Sequence, residues 1–292
     1  MPLERKRPTE IPTLNPLPEY LAEGQRLVWY QDMKSTLQVP WMGVVIMAFS
    51  HYPNFFAELW QGLKPISQSK EFVHACNELQ VFIEQQTSEL NPKNLLPELK
   101  EKGYAPREIE DIIAMNSIFS HGNQPYVLIA TYGRYLLEGG LLSDSASATS
   151  FERQHAPKCS VPLVLMESHH ADQQTQQVYE DIKLTLDLPF VNTDYRAFAR
   201  WPSYFSLAWS DLSDKVGKEK YEQICSEFHH RCVELVAQTL PNPTGLSSEA
   251  LQQAAAKDAS TEKILQVCQL FQWLLPGLIT NVAYFRHQLG AV

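Results

Sequence analysis

The chain repeats part of its own sequence, and a repeat constrains the fold more strongly than composition does. Residues 30–63 align without a gap on residues 179–212, at an offset of 149 positions. Twelve of the 34 pairs are identical, where background composition gives roughly two. The identical pairs include Pro, Phe and Trp in one register, which generic amphipathic helices do not share. We therefore predict one unit that has been duplicated and fused.

A second match at an offset of 151 pairs Pro125 with Pro276 and Gly139 with Gly290, in the same order along the chain. The predicted organisation follows from these two matches and from the irregular stretches around them. It comprises a proline-rich extended arm (1–18), a first repeat (19–140), a Gly- and Ser-containing linker (141–165) and a second repeat (166–292). We expect the two repeats to form an intrachain pseudo-dimer, as the subunits of a homodimer do.

The hydrophobic residues recur at steps of three and four, which is the helical period. Phe72, Ala75, Leu79 and Phe82 follow this spacing, and the stretch around Met115 does the same. The sequence lacks the regularly spaced alternating runs and hairpin signals of a β protein. The predicted fold class is all-α.

Composition excludes several classes of partner. The net charge of −9 argues against nucleic acid as the main partner. The longest uncharged, mostly apolar run covers residues 39–49, which is shorter than the ~18 residues of a membrane span, and no secretory signal is visible.

The five cysteines are widely spaced without a Cys-x-x-Cys pair. They predict reduced thiols in a cytoplasmic protein and support neither a disulfide framework nor a zinc site.

The two copies differ most informatively at Asp194. If Pro189 lies in the first turn of a helix, then Phe190, Asp194, Phe198 and Trp201 share one apolar face. The residue that matches Asp194 in the first copy is Val45. The sequence therefore predicts a carboxylate on a buried stripe where the fold accepts valine.

A buried carboxylate is costly unless it is paired or hydrogen-bonded. Desolvation shifts the pKa of such a group upward, toward the range useful to a general base. Two structural alternatives stay open at this point. One is a salt bridge to Arg196 or Arg200, and the other is a favourable charge at the start of a helix.

A reciprocal difference occurs at Asn123-Gln124-Pro125-Tyr126, whose counterpart is Leu274-Leu275-Pro276-Gly277. Taken singly, Asn123 could be a helix N-cap ahead of Pro125, and Tyr126 could be ordinary core. Together with Asp194, these residues place polar chemistry once in each copy. That pattern favours a single asymmetric site.

Three short motifs carry a family resemblance: Val39-Pro40-Trp41, Asn123-Gln124-Pro125-Tyr126 and Asn192-Thr193-Asp194-Tyr195-Arg196. In this order, within a duplicated all-α chain, they resemble the group I 2-haloacid dehalogenases, some of which act on both D and L substrates. The resemblance implies a pseudo-dimer with the site between its repeats, a homodimeric molecule, and neither metal nor cofactor. It also implies that a water molecule attacks the α-carbon directly, with inversion and without a covalent ester.

Residue roles follow from the resemblance alone. It implies Asp194 as the base that activates water and Asn123 as its partner in holding that water. It implies substrate-binding positions at Trp41, Val44, Tyr126 and Thr193. Thr193 replaces an expected serine and Val44 an expected phenylalanine, which puts the substrate range in question more than the chemistry.

The expected function is therefore hydrolytic dehalogenation of short D- and L-2-haloalkanoic acids. A non-enzymatic helical binder and a divergent hydrolase of the same fold are the alternatives. His169-His170 and His229-His230 are interpreted as solvated polar stretches, because adjacent side chains point apart and no further metal ligand is placed. His121 remains a second candidate for a catalytic group because it immediately precedes Gly122-Asn123.

Overall fold

The all-α prediction is confirmed by a computed structural model that describes residues 3–292, in which twelve α-helices and no strand are found. Met1 and Pro2 of the predicted arm lie outside the described residues. Helices of the first part of the chain are α1 (Gly24–Leu37), α2 (Val44–Phe49), α3 (Pro53–Ser67), α4 (Lys70–Thr87), α5 (Leu96–Glu101) and α6 (Pro106–Leu137). The remaining helices are α7 (Gln173–Leu186), α8 (Thr193–Phe198), α9 (Pro202–Ser213), α10 (Glu219–Glu234), α11 (Ser248–Ala255) and α12 (Thr261–Gln288).

Shorter elements complete the description. Single 3-10 turns cover Glu19–Leu21 and Ser88–Leu90, and a π-helical stretch, Leu235–Thr239, extends α10. Residues 138–172 contain no helix. No helix in the described range combines the length and the hydrophobicity that crossing a membrane requires.

The sequence explains five of the helix starts. Pro53, Pro106 and Pro202 occupy the first positions of α3, α6 and α9, where a missing N–H costs nothing. Asp172 caps α7 by accepting a hydrogen bond from the Thr175 amide at 2.7 Å. Ser247 caps α11 in the same way, through the Ala250 amide.

The prediction that Pro40 and Pro189 lie in the first turn of a helix is wrong. Helices α2 and α8 begin four residues later, at Val44 and Thr193. The chain bends at each proline and the residue after it, and the residues that directly precede the helices, Gly43 and Asn192, are extended. The buried face of α8 therefore includes Asp194 and Phe198, whereas Phe190 lies outside the helix and is half-buried.

The two parts of the chain match in local structure. Helices α1 to α4 and α7 to α10 begin at positions that differ by 149, pair by pair. The residues that directly follow α1 and α7, Gln38 and Asp187, both adopt the left-handed conformation, with φ of 53° and 51°. Pro125 and Pro276, which differ by 151, lie inside α6 and α12.

Two tertiary hydrogen bonds also recur at the offset of 149. The Trp60 indole donates to Asp32 at 2.8 Å, and the Trp209 indole donates to Asp181 at 2.6 Å. In the same way, the Tyr30 hydroxyl donates to the Leu17 carbonyl at 3.0 Å. Its counterpart is the hydroxyl of Tyr179, which donates to the Met166 carbonyl at 2.6 Å. The matching residues therefore make matching contacts.

The chain divides into two compact units, each built from three separate segments. Unit 1 comprises Met1–Gln80, His121–Ala156 and Ser226–Gly277, and unit 2 comprises Val81–Ser120, Pro157–Cys225 and Leu278–Val292. The repeat boundaries 19–140 and 166–292 concern sequence duplication rather than these units, and they stay a prediction.

Each unit has an aromatic core of its own. In unit 1 the Phe49 ring packs edge-to-face on Phe55 and Phe271, at centroid distances of 5.6 and 6.1 Å. In unit 2 the Phe198 ring packs likewise on Phe119 and Phe285, at 5.7 and 5.6 Å. Phe49 and Phe198 are equivalent positions and both are fully buried. Helices α2 and α8 are thereby fixed to their units by the same residue.

Candidate functional site

Trp41 and Tyr126 are brought into direct contact within unit 1. The Tyr126 hydroxyl donates to the Trp41 carbonyl at 2.7 Å, and the two rings meet edge-to-face at 5.7 Å. Both side chains are buried. Burial raises the pKa of Tyr126 above its ordinary value, so the phenol stays protonated and keeps its donor role.

Two glycines make this packing possible. A Cβ on Gly122 would lie 2.3 Å from Cη2 of Trp41, and a Cβ on Gly43 would lie 2.9 Å from Cε2 of Tyr126. Both of these atoms belong to rings of the buried pair, so a Cβ at either glycine would displace one of the two rings. Glycine at both positions is therefore required by close approach rather than by backbone conformation.

Asn123 lies inside α6 with 3% of its surface exposed. The alternative in which Asn123 caps a helix ahead of Pro125 is therefore wrong, since α6 begins at Pro106 and continues through Pro125. Pro125 has no N–H to donate to the carbonyl of His121, four residues earlier. The helix therefore lacks the backbone hydrogen bond between residues 125 and 121, and Asn123 lies between these two residues.

His121 is buried beside the same stretch of α6. Its Nε2 lies 3.4 Å from the Leu37 carbonyl, and its ring is 5.5 Å from that of His155. Burial, helped by the nearby His155, lowers the pKa of His121 to about 4. His121 is therefore neutral near pH 7, and its ring faces the Leu37 carbonyl.

Val44 is the first residue of α2 and is half-buried. It follows the segment Gln38–Gly43, which carries Trp41, and we call this segment the Trp41 loop. The Met42 amide in this loop donates to Oε1 of Glu19 at 2.6 Å. The loop is therefore held by a side chain from the 3-10 turn Glu19–Leu21.

Thr193 and Asp194 occupy the first turn of α8 in unit 2. Asp194 is 2% exposed, and so is Val45, the equivalent residue of α2. The prediction that Asp194 is buried is confirmed. Its place in the first turn also gives it the favourable helix-start position named as one structural alternative.

The arginines proposed as salt-bridge partners bind other groups. Arg196 pairs with Glu167 at 2.6 Å, and its Nη2 lies 3.4 Å from the Thr193 hydroxyl. Arg200 donates to the Pro162 carbonyl at 3.3 Å and stacks its guanidinium over the ring of Trp201. Arg196 thus links Glu167 to the Thr193 hydroxyl.

A buried hydrogen-bond chain fixes the residue after Asp194. Nδ2 of Asn281 donates to the Tyr195 hydroxyl at 2.8 Å, and the Tyr221 hydroxyl donates to Oδ1 of Asn281 at 2.9 Å. Burial raises the pKa of Tyr195, and the charge of Asp194 adds to that effect. Asn281, Tyr221 and Glu19 were missed by sequence reasoning. The available signal was a polar Asn281 within an apolar helix.

The other polar clusters carry no metal site. Within residues 3–292 no group of three or more His, Cys, Asp or Glu side chains is arranged to hold a metal ion. The rings of His169 and His170 are 4.0 Å apart, and both residues are exposed. All five cysteines are free, and only Cys159 is exposed.

Comparison with known proteins gives a consistent set of relatives, although no family model matches the chain. The chain is 40% identical over 257 residues to an (R)-2-haloacid dehalogenase of Rhizobium sp. (strain NHG3), covering 87% of this chain and 99% of that protein. It is 35% identical over 294 residues to an (R)-2-haloacid dehalogenase of Pseudomonas putida, covering 98% and 96%. A configuration-inverting 2-haloacid dehalogenase of Alcaligenes xylosoxydans xylosoxydans is 26% identical over 262 residues, covering 84% and 82%.

Solved structures agree with these relatives. A mutant of D-2-haloacid dehalogenase superposes with a TM-score of 0.87 at 33% identity, covering 98% of this chain and 99% of that one. A complex of such a mutant with D-2-CPA superposes with a TM-score of 0.85 at 33% identity, covering 99% and 100%.

Proposed function

Because this chain belongs to the family of 2-haloacid dehalogenases, we propose a specific mechanism for it. Two of its relatives are named for their action on the (R) enantiomer. The enzyme is a configuration-inverting hydrolase that cleaves the carbon–halogen bond of short 2-haloalkanoic acids. The D, or (R), acids are its first expected substrates. Turnover of the L acids as well stays a prediction from the sequence.

In the proposed reaction, the carboxylate of Asp194 removes a proton from a water molecule while the water oxygen attacks the α-carbon. The new C–O bond forms as the carbon–halogen bond breaks, and the halide leaves with the bonding electron pair. The proton ends on Asp194. The Asn123 amide holds the water, so that the attacking oxygen lies in line with the departing halide.

The burial of Asp194 is the observation that carries this proposal. At 2% exposure it is withdrawn from bulk water, although the equivalent position of α2 holds an ordinary Val45. A desolvated carboxylate accepts a proton more readily than a solvated one, which is what a general base requires. A buried acid at Asp194, where the equivalent residue is Val45, is therefore explained by a catalytic role in this proposal.

The substrate pocket is proposed to use Trp41, Val44, Tyr126 and Thr193. The paired rings of Trp41 and Tyr126 offer an apolar wall with weakly polar edges, which suits a departing halide. The Thr193 hydroxyl, held beside Arg196, offers a donor to the substrate carboxylate. Val44 replaces a larger residue of the family pattern and is proposed to widen the pocket.

We extend the proposal to the architecture: two tandem helical repeats forming an intrachain pseudo-dimer. The recurrent helix starts at an offset of 149 support the duplication, as do the paired Trp–Asp and Tyr–carbonyl hydrogen bonds. A homodimer is expected from the family resemblance, and its mass by sedimentation tests it. A cytoplasmic location is supported by the five free thiols.

The test is halide release from purified protein supplied separately with (R)- and (S)-2-chloropropionate. We expect the (R) acid to release chloride and to yield (S)-lactate, because direct attack inverts the carbon. Turnover of the (S) acid to (R)-lactate would show that both enantiomers are accepted. Lactate of retained configuration would contradict the mechanism, and no chloride from either acid would favour the non-enzymatic binder or a divergent hydrolase.

A further inference from the structure

One peptide group in the Trp41 loop is held by side chains at both of its polar ends. The carbonyl of Trp41 and the amide of Met42 belong to the same peptide unit. The carbonyl accepts from the Tyr126 hydroxyl at 2.7 Å, and the amide donates to Oε1 of Glu19 at 2.6 Å. Because a peptide unit is planar, these two bonds fix its orientation, and with it the direction in which the Trp41 side chain leaves the backbone.

The carboxylate that makes this bond is itself positioned. The second oxygen of Glu19 pairs with the ammonium of Lys34 on α1. That ion pair holds Oε1 toward the Met42 amide and offsets the cost of keeping a charged group half-buried. A hydrogen bond from a neutral amide to a carboxylate is stronger than one to a neutral acceptor.

The equivalent peptide of the second half, between Phe190 and Val191, lacks these holding groups. The position equivalent to Glu19 is Ser168, and the position equivalent to Tyr126 is Gly277. The lysine is retained as Lys183, but it pairs with Glu180 on its own helix. The fold therefore forms this loop without the two side chains, and their presence around Trp41 needs another reason.

The two aromatic residues at these equivalent positions also differ in burial. Trp41 is 4% exposed, whereas Phe190 is half-buried. The Trp41 and Tyr126 rings pack so closely on Gly122 and Gly43 that no Cβ would fit at either glycine. A small rotation of the 41–42 peptide would move the indole against these contacts.

We propose that Glu19 is a positioning residue, which sets Trp41 and Val44 in the substrate pocket by orienting the peptide between Trp41 and Met42. The inference rests on the proposed function, in which Trp41 and Val44 contact the substrate. Glu19 acts through the loop and takes no part in proton transfer. Its loss therefore weakens substrate binding more than it slows the chemical step.

The test compares Glu19→Ala with Glu19→Gln, which keeps an oxygen acceptor for the Met42 amide. We expect Glu19→Ala to raise KM for (R)-2-chloropropionate about tenfold with kcat within about threefold, as the loss of one charge-assisted hydrogen bond implies. Glu19→Gln should recover most of that loss. Hydrogen exchange at the Met42 amide should accelerate in Glu19→Ala and stay slow in Glu19→Gln.

Glu180→Ala is the matched control, because it removes the ion pair with Lys183 in the second half without touching a loop amide. Its KM should equal that of the wild type. If Glu19→Ala is recovered unfolded, Lys34→Met removes the ion pair that holds Glu19 toward the Met42 amide and should give a smaller rise in KM, again with kcat nearly unchanged.

An active wild-type enzyme with unchanged KM in Glu19→Ala would overturn this inference and leave the proposed function intact. A fall in kcat alone would also overturn it. A wild-type protein that releases no halide would remove the proposed function and this inference together.

Discussion

Helices α2 and α8 have the same length, begin 149 residues apart and anchor through equivalent phenylalanines, yet they differ at their second position. Val45 and Asp194 occupy that position with the same 2% exposure. The same helix start therefore buries an aliphatic side chain in one half of the chain and an acid in the other. The comparison teaches that a short helix of this kind does not by itself require an acid at its second position, so Asp194 is the residue to test for a role in chemistry.

Helices α6 and α12 show the opposite difference. Each contains an interior proline, Pro125 or Pro276, which interrupts the helical ladder. Around Pro125 the chain carries Asn123 and Tyr126, whereas Leu274 and Gly277 take their places around Pro276. The interruption is common to both halves, and the polar groups are confined to one.

The largest effect expected from this comparison is on catalysis. Asp194→Asn should lower kcat/KM for halide release by roughly 10²- to 10⁴-fold, because the amide cannot accept the proton from water. Far-UV circular dichroism should be unchanged, since the substitution preserves size. Asp187→Asn is the control: Asp187 is exposed, and asparagine tolerates its left-handed conformation. Retained turnover in Asp194→Asn would contradict the role of Asp194 as the base that accepts the proton from water.

The second effect is on stability. Val45→Asp places a carboxylate at the equivalent buried position of unit 1 and should lower the free energy of unfolding by roughly 2–4 kcal/mol. Urea unfolding at pH 7 measures it. The control Val44→Thr copies the residue found at Thr193 and, being only half-buried, should change stability by less than about 0.5 kcal/mol. An equally stable Val45→Asp variant would mean that this position tolerates acids generally.

A smaller effect concerns the residues four positions before the two prolines, His121 and Gln272. The folded state keeps the pKa of His121 near 4, against about 6.5 in the unfolded chain, because the ring is buried. Between these values the unfolded chain binds a proton that the folded protein does not bind, so stability falls as pH drops below 6.5.

Replacing His121 by the residue of the other half isolates this contribution. Between pH 7 and pH 4.5 the wild type should lose about 2 kcal/mol more stability than His121→Gln. Other titrating groups are common to both proteins and cancel in the difference. Parallel losses in urea unfolding at the two pH values would show that His121 titrates equally in both states.

The sequence predicted the helical class because hydrophobic residues recur at the helical period in α4 and α6, and it predicted the burial of Asp194 from the valine at the equivalent position. It misplaced the starts of α2 and α8, since a proline fits the first turn of a helix and the bend before a helix equally well. It also left open a capping role for Asn123, because the interior Pro125 gives the same local pattern as a helix start.

What the sequence did not reveal depends on distant partners. The Glu19–Met42 hydrogen bond joins residues 23 positions apart, and the Tyr195–Asn281–Tyr221 chain joins three helices. No spacing rule links such residues, because their proximity is produced by tertiary packing. The supporting groups around the candidate site were therefore visible only in the structure, whereas the candidate acid itself was visible in the repeat.

A single-turnover reaction in water enriched in oxygen-18, with enzyme in excess over (R)-2-chloropropionate, tests the direct attack of water most sharply. The account predicts oxygen-18 in the hydroxyl group of the lactate formed in that first turnover. Lactate containing ordinary oxygen, with oxygen-18 appearing afterwards in the Asp194 carboxylate by peptide mass spectrometry, would show a covalent ester and contradict the account.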